Sequence, residues 1–264
     1  MGEYIASNRF KRFIPDWLTV LGLVITFFLV TERAHPFIRQ FSLSDPSISH
    51  PFAKVERVTD NQLYVLSIFL PTAIVLAAVA LNRSISSRFD KLHLIQVTSL
   101  GIWFSTCLAA VLTDILKCWI GNPRPDFLER CGAKYGTPKN KLVGIEVCTA
   151  PLGEMYLLDG MKSTPSGHSS MAFAGLLYLT LWLLGQYKVL HGKKQLWAPL
   201  LCCTPLVLAS YIALSRTQDY RHHFRDVLLG SILGIVIAVG TYFKYFDSVF
   251  DEDSDKPIEY SEVE

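Results

Sequence analysis

Apolar and polar stretches alternate along this chain in long blocks. Residues 1–12 are polar and carry Arg9, Lys11 and Arg12. Residues 17–30 are apolar and reach spanning length when extended back through Phe13 and Ile14. Their Trp and Phe side chains suit an interfacial anchor. Residues 31–62 are polar, with Pro36, Pro46 and Pro51 breaking any long helix. A charge-free run follows over 63–81, where Pro71 predicts a kink. Beyond a short basic loop at 82–91, residues 92–116 are apolar apart from His93 near one end and Asp114 near the other. The longest polar stretch, 117–165, exceeds what a structureless connection in a compact fold would need. Apolar runs at 169–184, 196–214 and 227–246 are separated by a basic loop (Lys188, Lys193, Lys194) and by the polar segment 215–226. An acidic tail, 247–264, is expected to be disordered and cytosolic.

Six runs near the roughly 20 residues of a bilayer crossing predict an all-α, polytopic membrane protein. Its six transmembrane helices would form one bundle and one domain over 1–246. An even number of crossings places alternate connections on the same side. Residues 31–62, 117–165 and 215–226 therefore share one face of the membrane.

Composition changes this picture little. Half of the 264 residues are apolar and the net charge is +2, with a mean hydropathy of +0.30. So even a balance argues neither for nor against nucleic acid. The first apolar run lacks a small-residue cleavage site leading into a soluble chain, so no cleavable signal peptide is expected. The sequence contains no internal repeat, zinc-type Cys/His spacing or Gly-rich nucleotide loop. The short loops at 82–91 and 186–195 are basic, which by the positive-inside rule puts them and both termini in the cytosol. The one Asn-x-Ser/Thr sequon, Asn82-Arg83-Ser84, would then be hidden from glycosylation. Cys131 and Cys148 would share a lumenal loop, either as a disulfide or as two free thiols.

Three polar clusters sit just beyond apolar runs. The first, Lys117 to Pro125, offers a point charge in Lys117 and a planar fork in Arg124, both suited to phosphate oxygens. Taken alone, it reads better as two cations snorkelling to headgroups. The second, Thr164-Pro165-Ser166-Gly167-His168, opens an apolar run, so Ser166 can cap a helix whose free N–H groups favour an anion. Gly167 allows close backbone approach, and His168 can exchange a proton near neutral pH. An ordinary Pro-Ser-Gly turn before a histidine explains it about as well. The third contains Arg216, His222 and Asp226. A helix start here would set His222 and Asp226 on one face, where the carboxylate would fix the imidazole tautomer. The alternative is a surface pair of little consequence. No chemical role is expected for His223.

Together, Lys117-x6-Arg124-Pro125, Pro165-Ser166-Gly167-His168 and Ser215-Arg216-x5-His222-x3-Asp226 resemble the three-part signature of the type 2 phosphatidic acid phosphatase superfamily. Residues 41–58, 119–130 and 212–230 further resemble the fungal lipid phosphate phosphatases, including diacylglycerol pyrophosphate phosphatase. The resemblance implies His222 as a nucleophile forming a phosphohistidine, Asp226 as its support, and His168 as proton donor and then base. It also implies that Lys117, Arg124 and Arg216 hold the phosphate oxygens, with Ser166 and the Gly167 N–H assisting. Three fixed cations could replace magnesium, so no metal or other cofactor is expected, and Asp114 is assigned a polar partner within the bundle. The implied partners are phospholipid phosphates (phosphatidate, lysophosphatidate, diacylglycerol pyrophosphate) and the bilayer, with no nucleic acid. The implied location is an endomembrane such as the vacuole or Golgi, with the site on the lumenal face. The rival readings are an isoprenoid or dolichyl diphosphate phosphatase, and a phospholipid binder or transporter without turnover.

Overall fold

The computed structural model describes residues 2–190 and 194–258. Lys193 of the second basic loop and residues 259–264 of the acidic tail lie outside the described residues. Among the described residues, six helices are long and apolar enough to cross a membrane. They are α1 (Asn8–Thr31), α2 (Asp60–Leu81), α3 (Arg88–Ile120), α4 (Gly167–Gln186), α5 (Trp197–Gln218) and α6 (Phe224–Tyr245). The protein is thus an all-α polytopic membrane protein built as a six-helix bundle.

Most of α3 and α4 is buried, whereas α1 shows most of its surface. Helix α4 is the axis, packing on α3, α5 and α6. Lipid offers no hydrophobic gain for pressing apolar helices together, so small residues and interhelical hydrogen bonds set the contacts. Gly230 and Gly234, one turn apart on α6, meet the start of α4. A Cβ at these positions would lie 2.4 Å from the Ser166 carbonyl oxygen and 2.3 Å from that of Ser170. Ser105 Oγ donates to the Ala174 carbonyl at 2.7 Å, and the Thr113 and Ser170 hydroxyls pair at 2.7 Å, tying α3 to α4.

Helix α3 outruns its apolar stretch at both ends. The Ser87 hydroxyl accepts from the Asp90 N–H at its start, and Gly121 closes it in the left-handed region at φ 58°. That conformation favours glycine, and a Cβ there would strike the Phe37 carbonyl at 2.0 Å. Helices α1 and α2 each contain a π-helical turn, Phe27–Thr31 and Val65–Phe69. In α2 the cause is local: Pro71 has no N–H for the carbonyl four residues back, and the Leu70 N–H reaches instead to the Val65 carbonyl. At the position where Pro71 predicts a kink, the helix carries this π-turn.

The connections 32–59 and 121–166 lie on one face and fold together. A two-stranded antiparallel ladder joins β1 (Phe41–Ser42) to β2 (Leu142–Val143), pairing Phe41 with Val143. Cys131 and Cys148 form a disulfide. Phe41, Ile48, Phe127, Leu157 and Met161 make a small core beneath them.

The acidic tail departs from the disorder expected of it over its described part. Val249 and Ser254 are buried, the Ile258 N–H donates to the Tyr245 carbonyl at 2.9 Å, and Lys188 pairs with Asp255 at 2.9 Å. The physical reason is twofold: Val249 fills a site in the apolar core, and a basic loop residue faces the acids.

Candidate active site

The ends of α3, α4 and α5 meet on the looped face around one cavity of about 1150 Å³. Six of the eight residues singled out from the sequence line it: Lys117, Arg124, Gly167, His168, Arg216 and His222. Ser166 and Asp226, both fully buried, stand behind its wall.

Lys117 lies on the last turn of α3, with its Nζ 3.3 Å from Asp114, the polar partner expected for that aspartate. A Cβ on Gly167 would sit 3.2 Å from the same Nζ, so the glycine leaves room for the ammonium over the first turn of α4. Arg124 is held by Asp159, donating from Nε to its carbonyl and from Nη2 to its carboxylate, both at 2.9 Å. Its Nη1 donates to the Arg221 carbonyl at 3.2 Å. Ser166 caps α4, its hydroxyl accepting from the Ser169 N–H at 3.5 Å. That hydroxyl therefore serves the helix and not the cavity.

Helix α6 begins at Phe224 with His223 as its N-cap, so His222 lies outside the helix. His222 and Asp226 consequently do not share a helical face. The His222 Nδ1–H donates to the Ser163 carbonyl at 2.7 Å, leaving Nε2 as the ring's lone-pair nitrogen. Burial, together with the charges of Arg124, Arg216 and Lys117, holds the His222 pKa well below its ordinary value. The neutral, nucleophilic form is therefore the resting one.

The Asp226 carboxylate accepts from Ser163 Oγ at 2.6 Å, Thr164 Oγ1 at 2.5 Å and the His223 N–H at 3.0 Å. Support for His222 thus runs through Ser163, which joins the carboxylate by its hydroxyl and the imidazole by its carbonyl. The Ser166 N–H donates to the Asp226 carbonyl at 2.9 Å, which locks the two segments in register. His223, given no role from sequence, is the N-cap residue of α6, and its Nδ1 lies 3.2 Å from the same carboxylate.

A strap from the first loop, Glu56 to Val58, closes the site. The Val58 carbonyl accepts from His168 Nε2 and from Arg216 Nη1, each at 3.0 Å. The Glu56 carboxylate bridges Arg216 Nη2 at 2.9 Å and Arg221 Nη2 at 2.7 Å. Asp219 holds the strap by accepting from the Arg57 N–H at 2.9 Å and pairing with the Arg57 side chain. Among the described residues the buried Nε of Arg216 has no hydrogen-bond partner. A donor left so is costly unless an anion or water meets it. Behind the wall, Arg130 pairs with Asp126 and Asp159, each at 2.8 Å. Burial would raise the Asp159 pKa, but Arg124 and Arg130 outweigh it and hold the carboxyl below the usual carboxylate range.

Sequence reasoning missed Ser163, Asp159, Glu56 and Val58. Only the Asp126/Arg130 spacing of four was a readable signal. Glu56 and Val58 sit in a proline-broken loop, and the bond to Val58 is to its backbone, which no side-chain pattern records. Among the described residues, no group of three or more His, Cys, Asp or Glu side chains is placed to hold a metal ion.

Comparison with known proteins identifies the family. The model of the PAP2 superfamily matches residues 98–249, which include all eight sequence-predicted residues. The chain is 43% identical over 227 residues to diacylglycerol pyrophosphate phosphatase 1 of Saccharomyces cerevisiae, covering 84% of this chain and 76% of that one. It is 38% identical over 255 residues to the "Probable diacylglycerol pyrophosphate phosphatase 1" of Schizosaccharomyces pombe, with coverages of 97% and 88%. To lipid phosphate phosphatase 2 of Arabidopsis thaliana it is 31% identical, with coverages of 94% and 82%. No solved structure matches. With its three motifs gathered at one cavity and with relatives of this similarity along most of its length, the chain belongs to the PAP2 superfamily.

Proposed function

We propose that the protein hydrolyses lipid phosphates through a phosphohistidine on His222. The observation that carries this reading is the orientation of His222. Its Nδ1–H is committed to the Ser163 carbonyl, and the ring lines the same cavity as Lys117, Arg124 and Arg216. Nε2 attacks phosphorus in line, and the bond from phosphorus to the leaving oxygen breaks. His168, which takes up a proton together with the anionic phosphate, gives its Nδ1 proton to that oxygen, while Nε2–H stays on the Val58 carbonyl. Neutral His168 then takes a proton from water, whose oxygen attacks the phosphohistidine and releases inorganic phosphate with His222 restored. Lys117, Arg124 and the unpartnered Arg216 Nε supply the charge stabilisation that phosphoryl transfer chiefly needs. The reaction is accordingly expected to proceed in the presence of a chelator.

The relatives' names point to diacylglycerol pyrophosphate and related lipid phosphates such as phosphatidate and lysophosphatidate. Basic short loops and a disulfide on the opposite, looped face favour a lumenal site with cytosolic termini in an endomembrane. The test is phosphate release from a panel of lipid phosphates and isoprenoid diphosphates in detergent micelles. His222→Ala should abolish release, and rapid quench of the wild type with labelled substrate should place the label on His222. Turnover by the Ala variant, or label on another residue, would overturn the mechanism. Preference for isoprenoid diphosphates would reassign the substrate.

A further inference from the structure

We infer that the substrate's acyl chains reach the cavity sideways from the membrane, between the loop-side ends of α1 and α2, with Phe27 and Tyr64 as the gate. This inference rests on the lipid phosphatase reading above and adds the path by which the lipid part is taken in. The cavity that holds the phosphate cluster is also lined by Phe27 of α1, Leu63 and Tyr64 of α2, Ala110 of α3 and Met171 of α4. Leu63, Ala110 and Met171 are buried and belong to one apolar cluster, against which Phe27 and Tyr64 pack while only partly buried. Directly next to these two, Phe28 and Val65 are exposed on the outer surface of the bundle. Cavity lining and lipid-facing surface therefore meet at adjacent residues on both helices.

The two helices are built to part here. Both α1 and α2 pack along α3. They meet each other through aromatic rings: Phe27 lies 6.5 Å and Phe28 6.2 Å from Tyr64, edge to face. Such a seam opens by turning rings and breaks no backbone hydrogen bond. Each helix also has its π-helical turn at this level, Phe27–Thr31 beginning at one gate residue and Val65–Phe69 directly following the other. π-turns inside α-helices are rare and concentrate at functional sites. In α2 the turn is fixed from behind: the Ser67 carbonyl packs so closely on α4 that a Cβ at Gly175 would lie 1.9 Å from it. Movement at the seam is therefore left to the rings and to α1, the most exposed of the six helices. A diacylglycerol moiety fits this path because its phosphate can meet Arg216 while its chains stay in hydrocarbon.

The test uses the full chain in phosphatidylcholine nanodiscs and a phosphonate analogue of phosphatidate with a diazirine on the acyl carbons nearest the glycerol. After irradiation, adducts competed away by excess phosphatidate should fall in 27–31 and 63–69. Competable adducts confined to α5 and α6 would overturn the path and leave the phosphatase reading intact. No competable adduct anywhere would sink both. Tyr64→Trp and Phe27→Trp provide an independent measure. Each should lower the ratio of kcat/KM for dioleoyl over dibutyryl phosphatidate by about tenfold, the lower end of the discrimination one methylene gives. An unchanged ratio in active variants would equally overturn the proposal.

Discussion

Ser163→Ala isolates the support of His222 better than any change at His222 itself. The substitution removes one hydroxyl and keeps the carbonyl that accepts from His222 Nδ1. What is lost is the 2.6 Å bond from Ser163 Oγ to the fully buried Asp226 carboxylate. Hydrogen bonds to charged groups contribute roughly 1.5–3 kcal/mol. Asp226 retains Thr164 Oγ1 and the His223 N–H, so the segment should stay in place but loosen. If that energy holds the Ser163 carbonyl in register for the transition state, kcat should fall by about ten- to hundredfold. Positional errors on the order of 1 Å have effects of this size. Asp226→Asn should act through the same link, so the double variant should be little worse than Asp226→Asn alone, a coupling that a double-mutant cycle measures. The assay is kcat for phosphatidate in micelles, with thermal unfolding followed in parallel to confirm that each variant is folded. A folded Ser163→Ala variant of wild-type kcat, beside an inactive Asp226→Asn, would refute the indirect route. It would point instead to direct contact between Asp226 and His222 during turnover.

Glu56→Gln removes a negative charge from between Arg216 and Arg221, so inorganic phosphate should inhibit more strongly; an unchanged or higher Ki would show that the carboxylate does not compete with the anion. Because the His222 pKa is depressed, the acid limb of kcat/KM should lie below the ordinary histidine pKa of about 6.5, where Nε2 takes a proton. For stability the sign is the same: the unfolded state binds this proton first, so the His222 contribution worsens as pH drops below the unfolded value. An acid limb centred near the ordinary value would contradict both. Cys131→Ser opens a disulfide spanning 17 residues of the loop face, which should cost about 3 kcal/mol, read as a lower midpoint in thermal unfolding.

The crossings were legible in the sequence because hydrophobic run length is a one-dimensional property. A helix that must satisfy its own backbone in lipid leaves an uninterrupted apolar block, and counting six of them placed the three polar clusters on one face. The residue types for phosphate binding were equally legible, since only certain side chains offer fixed positive charge or a neutral nitrogen nucleophile. Boundaries were less so. Residues 215–218 look polar but continue α5, because Arg216 finds Glu56 and Val58 in another segment. The acidic tail looks disordered, but over 247–258 it has Lys188 and the end of α6 to pack against.

How His222 is held, and by what, was decided only in three dimensions. The spacing of His222 and Asp226 suggested a direct pair, but His223 starts the helix one residue later, and the carboxylate turns back to cap it. Through-space hydrogen bonds to Ser163, Val58 and Asp159 then complete the site. Two of the three, and one of Arg124's two bonds to Asp159, are accepted by backbone carbonyls. Every residue carries such a carbonyl, so sequence cannot mark which ones will be used; the packing of α4 against α6 and of the first loop across them selects them.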